Sequence, residues 1–243
     1  MSHPNGFPPL PADLLFYASP SHPCSYLPGR EAATLFADPQ RLMSPELYSA
    51  LSDYGFRRSG DYVYRPRCGS CQACLPCRIP VTQFQPDRSQ RRVWKRNLDL
   101  TVQLMPPDTS GEYFELYQRY LRKRHDDGAM DADDREQYRR FLTSRWSDTW
   151  FVLFRAVQKL VAVAVVDQLN QGLSAVYTFY DPDEEQRSLG TMAVLWQIEQ
   201  ARRMGLPYLY LGYYIKESRK MAYKQHYRPL EVFQDGKWGL LHI

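Results

Sequence analysis

The stretch WFVLFRAVQKLVAVAVVDQLNQGLSAVYTFY, residues 150–180, reads as three strands in close succession. WFVLFRAV, LVAVAVVDQL and LSAVYTFY are dense in β-branched and aromatic residues, which suit a pleated surface. Gln158-Lys159 separates the first two runs and NQG the last two, so both connections are expected to be hairpins. The longest aliphatic piece, LVAVAVV (160–166), is far too short to cross a bilayer. Downstream, SLGTMAVLWQIEQARRMG has the spacing of a strong helix, with Ser188 as candidate N-cap and Gly205 as stop. LPYLYLGYYI then reads as a buried strand, ESRKMAYKQHY as a helix, and PLEVFQ and KWGLLHI as closing strands. Upstream, LDLTVQLM (98–105) alternates as a strand, and EYFELYQRYLRKRH and ADDREQYRRFLTSRW carry helical spacing. DRSQRRVWKRN holds five basic residues and reads as a linker or first turn.

Before residue 88 the character differs. The first 87 residues are rich in proline, aromatics and turns. SPELYSALSDYG (44–55) reads as a short helix, with Ser44 at the N-cap, Pro45 at the first helical position and Gly55 at the stop. GFRRSGDYVYRP then alternates like a strand. The expected organisation is therefore an N-terminal cysteine-containing domain over 1–87 and a larger domain over 88–243. With 243 residues, 44% of them hydrophobic, the chain can bury a sizeable core, and a net charge of +4 permits a nucleic-acid partner without demanding one. The opening MSHPNGFPPLPADLLFY lacks a basic patch followed by an apolar run, so no signal peptide is expected and the expected location is cytoplasmic.

RPRCGSCQACLPCRIPV (65–81) places Cys68, Cys71, Cys74 and Cys77 three apart, with Cys24 as the one other cysteine. In a reducing compartment such a cluster points to metal more than to disulfides, because thiolates ligate zinc and iron. The run also resembles iron–sulfur ligation, and Cys24 could close a site with three of the four. The competing reading is a set of reduced thiols that pin a loop. Both stay open at this level.

From residue 88 the order is strand, helix, helix, three strands, helix, strand, helix, two strands. That order resembles the GNAT acyltransferase fold: an α+β domain with a mixed sheet flanked by helices, here preceded by the smaller cysteine-bearing domain. In that fold the helix after the fourth strand holds a pyrophosphate through its backbone N–H groups and dipole. The usual loop is Arg or Gln, two residues, Gly, one residue, then Gly or Ala. RSLGTM supplies Arg187 and Gly190 but then Met192, so these residues either keep an anion site that does not suit coenzyme A or merely begin a helix.

CSYLPGREA, GFRRSGDYVYRP, CGSCQAC, RSQRR, DPDEEQRSLG, LPYLYLGYYI and RKMAYK together resemble the bacterial aminoacyl-tRNA–protein transferases, relatives of eukaryotic arginyltransferase. The resemblance spans nearly the whole chain in order. It implies transfer of leucine from leucyl-tRNA to proteins beginning with Asp or Glu, marking them for N-degron degradation, with no cofactor for the chemistry. Arginyl-tRNA as donor, a small-molecule acetyltransferase and a non-enzymatic RNA-binding module are the alternatives. Cys77 stands where an aliphatic residue is expected, leaving Cys24, Cys68, Cys71 and Cys74 as the metal or cluster ligands. Ser218 stands where relatives often have cysteine, so no thiol is required there.

Such a reaction starts from an activated ester and an α-amine, so positioning and hydrogen-bond donors at the oxyanion carry much of the rate. Catalytic candidates lie at the ends of the two splayed strands: Tyr177, Tyr180, Asp181 and Tyr213, with Tyr214 beside them. The tRNA is expected on Arg91, Arg92 and Lys95, on Arg187 and Gly190, and on Lys216, Lys220 and Lys224. An acidic acceptor calls for a cation, ideally arginine, and Arg30, Arg57 and Arg58 are the candidates, with Lys220 and Lys224 as competitors.

Overall fold

The computed structural model describes residues 7–109, 111–124 and 131–242. His125 and Ile243, the ends of two expected elements, lie outside them. In chain order the elements begin with β1 (Phe16–Ala18), β2 (His22–Pro23), β3 (Glu31–Ala32), β4 (Thr34–Ala37), α1 (Pro45–Asp53), β5 (Arg57–Ser59), β6 (Tyr62–Pro66) and β7 (Leu75–Pro80). Then come α2 (Arg88–Arg96), β8 (Leu100–Met105), α3 (Gly111–Arg124), α4 (Arg135–Leu142), β9 (Thr149–Ala156), β10 (Lys159–Leu169) and β11 (Gly172–Tyr180). The chain closes with α5 (Leu189–Arg203), β12 (Tyr208–Tyr214), β13 (Glu231–Gln234) and β14 (Lys237–Leu240).

An eight-stranded sheet runs β14-β13-β7-β12-β11-β10-β9-β8. Only the β11–β12 pair is parallel, and α5 is the crossover between them. The strand β10 is apolar almost throughout because both faces of the sheet are covered. Val161, Ala162, Ala164 and Val166 join the core with Leu195 and Ile198 of α5, and Leu160, Val163 and Val165 join a second core with Tyr117 of α3 and Tyr138 of α4. A smaller sheet, β1-β4-β6-β5, packs with α1 through a third core that reaches Leu169 and Tyr210 of the large sheet.

Three local expectations are corrected. DRSQRRVWKRN is the helix α2 rather than a linker: Asp87 accepts from the Gln90 N–H, and the Gln90 side chain accepts from the Asp87 N–H, a complete capping box. ESRKMAYKQHY forms only a short 3-10 turn over Ala222–His226. GFRRSGDYVYRP is not one strand but the hairpin β5–β6. Its turn residue Gly60 has φ +58, and a Cβ there would collide with the Arg140 carbonyl of α4. Ser188 does occupy the N-cap of α5, in a left-handed conformation and without a side-chain capping bond. Strand β7 precedes the expected border at 87/88 yet sits inside the large sheet between β12 and β13. The residues before 88 thus contribute to the large sheet as well as to the four-stranded sheet and the two-stranded β2–β3 pair.

The hairpin is fastened by Arg58, which is buried together with Asp167 of β10. Its Nε donates to Asp167 Oδ2 at 2.6 Å and Nη2 to Oδ1 at 2.7 Å, while Thr149 Oγ1 donates to Oδ1 at 2.7 Å. Removing one partner of a buried pair strands a charge. Arg58→Ala is expected to lower stability by about 3–5 kcal/mol in urea unfolding, and Arg58→Met with Asp167→Leu to recover much of it.

Candidate functional site

The parallel strands β11 and β12 pair at three positions only, Gly172 with Tyr208, Leu173 with Leu209 and Ser174 with Tyr210. Beyond these, β11 stays with β10 as far as Tyr180, and β12 follows β7 as far as Tyr214. A wedge opens between them. The guanidinium of Arg57 fills its apex. Nη1 donates to Ser174 Oγ at 2.9 Å and to the Tyr210 carbonyl at 3.4 Å, and Nη2 donates to the Ala175 carbonyl at 2.5 Å. Carbonyls of both strands, which lose their ladder partners there, are thereby satisfied. Gly212, at φ +82 beside a register shift, lies against this group: a Cβ on it would be 3.6 Å from Arg57 Nε.

Lys224 reaches the same strand. Only 4% of it is exposed, and its Nζ donates to the Tyr213 carbonyl at 2.5 Å, with Met221 Sδ 3.3 Å away. Burial lowers its pKa from 10.5 to about 8; Cys77 acts against the shift and Arg57 with it. Lys224 therefore does not stand with Lys216 and Lys220, which are on the surface with Arg219. Its position near charged neighbours in sequence gave no sign of this.

The expected catalytic groups are brought to the walls of the wedge, but several are already engaged. Asp181, fully buried, accepts from Arg119 at 3.1 and 3.3 Å and pairs with Lys159 at 2.8 Å. Burial pushes this carboxyl up, but Lys159, the Asp183 N–H and Arg119 outweigh burial and hold it below the usual carboxylate value. It is a locked anion that caps the turn Pro182–Arg187. Tyr180 stacks edge-on against Tyr120, with ring centroids 5.0 Å apart, and lies over Gly190, where a Cβ would come within 3.2 Å of the ring. Tyr177 packs against Phe141 at 5.0 Å. Tyr213 is buried and donates to the Tyr64 carbonyl at 3.1 Å, and burial pushes its hydroxyl well above its ordinary pKa. Tyr214 donates to the Gln225 side chain at 3.3 Å. Arg187 forms a two-pronged pair with Asp99, both contacts 2.9 Å, and also holds Glu184.

Of the three acceptor candidates, only Arg57 enters the wedge. Arg58 is sealed with Asp167, and exposed Arg30 donates to Cys71 Sγ at 3.4 Å. Arg91, Arg92 and Lys95 lie on the exposed face of α2. Period-two alternation along RRS could have assigned Arg57 and Arg58 to opposite faces, though not told which face meets which sheet.

Cys24, Cys71 and Cys74 pack on one small cluster with Leu27, Tyr213 and Ile215. Burial pushes the Cys74 thiol up to about 12, with Cys68, Cys24 and Cys71 adding to the effect. The Ala73 N–H and the Arg30 guanidinium lower that of Cys71. Cys77 lies in the main core, its thiol raised by burial. An all-sulfur donor set suits a soft metal, yet among the described residues no three His, Cys, Asp or Glu side chains are arranged around a common ion position.

A mixed sheet opened between two parallel strands, with a helix starting at the mouth, is the arrangement of GNAT-like acyltransferases. Residues 112–234 match the family model described as arginine-tRNA-protein transferase, C terminus, and residues 22–92 match the corresponding N terminus. The aspartate/glutamate leucyltransferase of Alcanivorax borkumensis is 57% identical over 225 residues, covering 93% of each chain. Those of Pseudomonas savastanoi pv. phaseolicola and Nitrosococcus oceani are 54% and 53% identical, covering 95% and 93% of this chain and 98% and 95% of theirs. The chain belongs to the arginine-tRNA-protein transferase family, in company with these leucyltransferases.

The buried amine of Lys224 has a consequence for stability. In the unfolded chain it stays protonated to about pH 10.4, whereas in the folded chain it releases its proton near about 8. Between those values the unfolded state binds more protons, so stability at this position rises with pH. Lys224→Met is expected to stabilise the protein by roughly 3 kcal/mol at about pH 7, an advantage that shrinks above about pH 8. Urea unfolding at both ends of that window checks the sign.

Proposed function

We propose that the protein transfers leucine from leucyl-tRNA to the α-amine of proteins that begin with Asp or Glu, marking them for degradation by the N-degron route in the cytoplasm. The observation that carries this reading is the 57% identity to a named aspartate/glutamate leucyltransferase over 93% of both chains. Among the described residues no helix is long and apolar enough to cross a membrane.

The acceptor's α-amine, with a reference pKa of about 7.7–8.0, has a usable neutral fraction near neutrality. It attacks the ester carbonyl carbon. A C–N bond forms, the C–O bond to the terminal ribose breaks, and the amine proton ends on the ribose hydroxyl. No covalent enzyme intermediate is needed. The wedge between β11 and β12 holds ester and amine together, with Tyr177 and Tyr180 carried by one strand and Tyr213 by the other. Asp181 acts as a positioning residue, through Arg119 and Lys159. The tRNA lies along the exposed α2 face of Arg91, Arg92 and Lys95 and along Lys216 and Lys220, with the acceptor end at Arg187 and Gly190.

Incubation with separately charged leucyl- and arginyl-tRNA tests the reading. Leucine should pass to peptides starting with Asp or Glu and not to the same peptides starting with Gly, and changing Arg91, Arg92 and Lys95 together to Glu should raise the KM for leucyl-tRNA. Transfer of arginine alone would overturn the leucine assignment.

Cys24, Cys68, Cys71 and Cys74 are proposed as the ligands of a zinc ion or iron–sulfur cluster with a structural or regulatory role, since the acyl transfer needs no metal. Anaerobically purified protein should contain zinc, or iron with sulfide, and should keep it in Cys77→Ala but not in Cys74→Ala. Metal-free protein of full activity and stability would end the idea.

A further inference from the structure

Most buried or half-buried arginines of this chain meet a carboxylate. Arg58 has Asp167, Arg78 has Glu231 at 2.7 Å, and Arg187 has Asp99. Among the described residues Arg57, at the apex of the wedge, and Lys224, against β12, do not. Arg57 bonds the Ser174 hydroxyl and two backbone carbonyls, and Lys224 bonds a carbonyl and touches a thioether. They also stand near enough for Arg57 to disfavour the Lys224 charge. Cys77, the thiol of the main core beside them, offers no compensation, because burial raises its pKa. A buried cation beside a half-buried one, with no counter-ion among the described residues, is costly. A fold that keeps them there is set to receive an anion.

The reaction requires one. Resting on the proposed leucyl transfer, whose acceptors are distinguished by a side-chain carboxylate one residue from the reacting amine, we infer that Arg57 and Lys224 together bind the carboxylate of the acceptor's first residue and set the preference for Asp and Glu. The pair reaches β12 at Tyr210 and Tyr213, along the strand that forms one wall of the wedge. A carboxylate held there leaves the α-amine of the same residue a few bonds away, at the opening where the ester must lie. Arg57 supplies a planar fork and Lys224 a point charge, so the site reads charge and tolerates the one-methylene difference between Asp and Glu. The terminal phosphate of the tRNA is the rival anion.

The test compares otherwise identical peptides beginning with Glu and Gln, which differ in charge and hardly in shape. Steady-state kcat/KM is measured for both with leucyl-tRNA, in the wild type and in Arg57→Gln, Lys224→Met and Lys224→Arg, together with the KM for leucyl-tRNA. Lys224→Met is the variant least at risk of misfolding, because it removes a buried charge. The Glu-over-Gln preference should fall by about tenfold or more in Arg57→Gln and Lys224→Met, chiefly through KM for the Glu peptide, and Lys224→Arg should restore much of it. Glu and Gln peptides losing activity by the same factor would overturn the inference, as would a rise confined to the KM for leucyl-tRNA, which would give the pair to the phosphate. Loss of bound metal from Lys224→Met with the preference intact would also overturn it and give Lys224 to the cysteine group. A wild type that transfers leucine to neither peptide would fail the functional reading itself.

Discussion

Two adjacent guanidiniums on one short strand tie the four-stranded sheet of this protein to the eight-stranded one. A strand sends successive side chains to opposite faces, so Arg57 and Arg58 of β5 reach different parts of the large sheet. Arg58 enters between α4 and β10 and closes on Asp167, while Arg57 enters the gap between β11 and β12. The first is a conventional buried pair, complete apart from one donor, Nη1, that has no partner among the described residues. The second substitutes for the hydrogen bonds that two parallel strands cease to make when they part. A polar gap inside a sheet would otherwise leave carbonyls unpaired, and the N-terminal hairpin supplies the donors.

The wedge therefore belongs to neither half of the chain alone. β11, β12 and α5 come from the C-terminal part, the residue at the apex comes from β5, and the strand on the outer side of β12 is β7. A second junction repeats the theme. Tyr210 donates to Asp53 at 2.5 Å, Trp238 donates to the Asp53 carbonyl at 2.9 Å, and Arg78 lies 3.5 Å from the Tyr208 ring. Residues of α1, β7, β12 and β14 meet there, and burial pushes the Asp53 carboxyl up despite Tyr210 and Arg78.

What was legible in the sequence follows from locality. The three central strands and α5 declare themselves because composition, hairpin spacing and helical periodicity act within about a dozen residues. The cap at Ser44 was readable for the same reason, its hydroxyl accepting from Leu47 N–H at 3.2 Å. The capping box of Asp87 and Gln90 was equally present, but the density of basic residues around it suggested a linker. Non-local facts were out of reach. Nothing in CLPCRIP announces that it will lie beside residues 208–214 and 231–232. Lys224 has the sequence surroundings of a surface charge, and only the packing of Met221 and Tyr213 around it removes it from water. Asp181 was correctly placed at a strand end, while its two cationic partners come from α3 and β10 and could not be named in advance.

The place of β7 in the large sheet has a bearing on how the chain is made. Its residues, 75–80, leave the ribosome well before β12 and β13, the strands that flank it. At about 5–20 residues per second, roughly six to thirty seconds pass between the first strand and its partners. For that interval β7 has both hydrogen-bonding edges open beside a run of thiols, and the sheet of the C-terminal part cannot close without it. Late, long-range pairing of this kind is slow, and it exposes edges that other chains can join. During synthesis the same arrangement that binds the two halves together leaves one strand waiting, unpaired, for partners that have yet to be made.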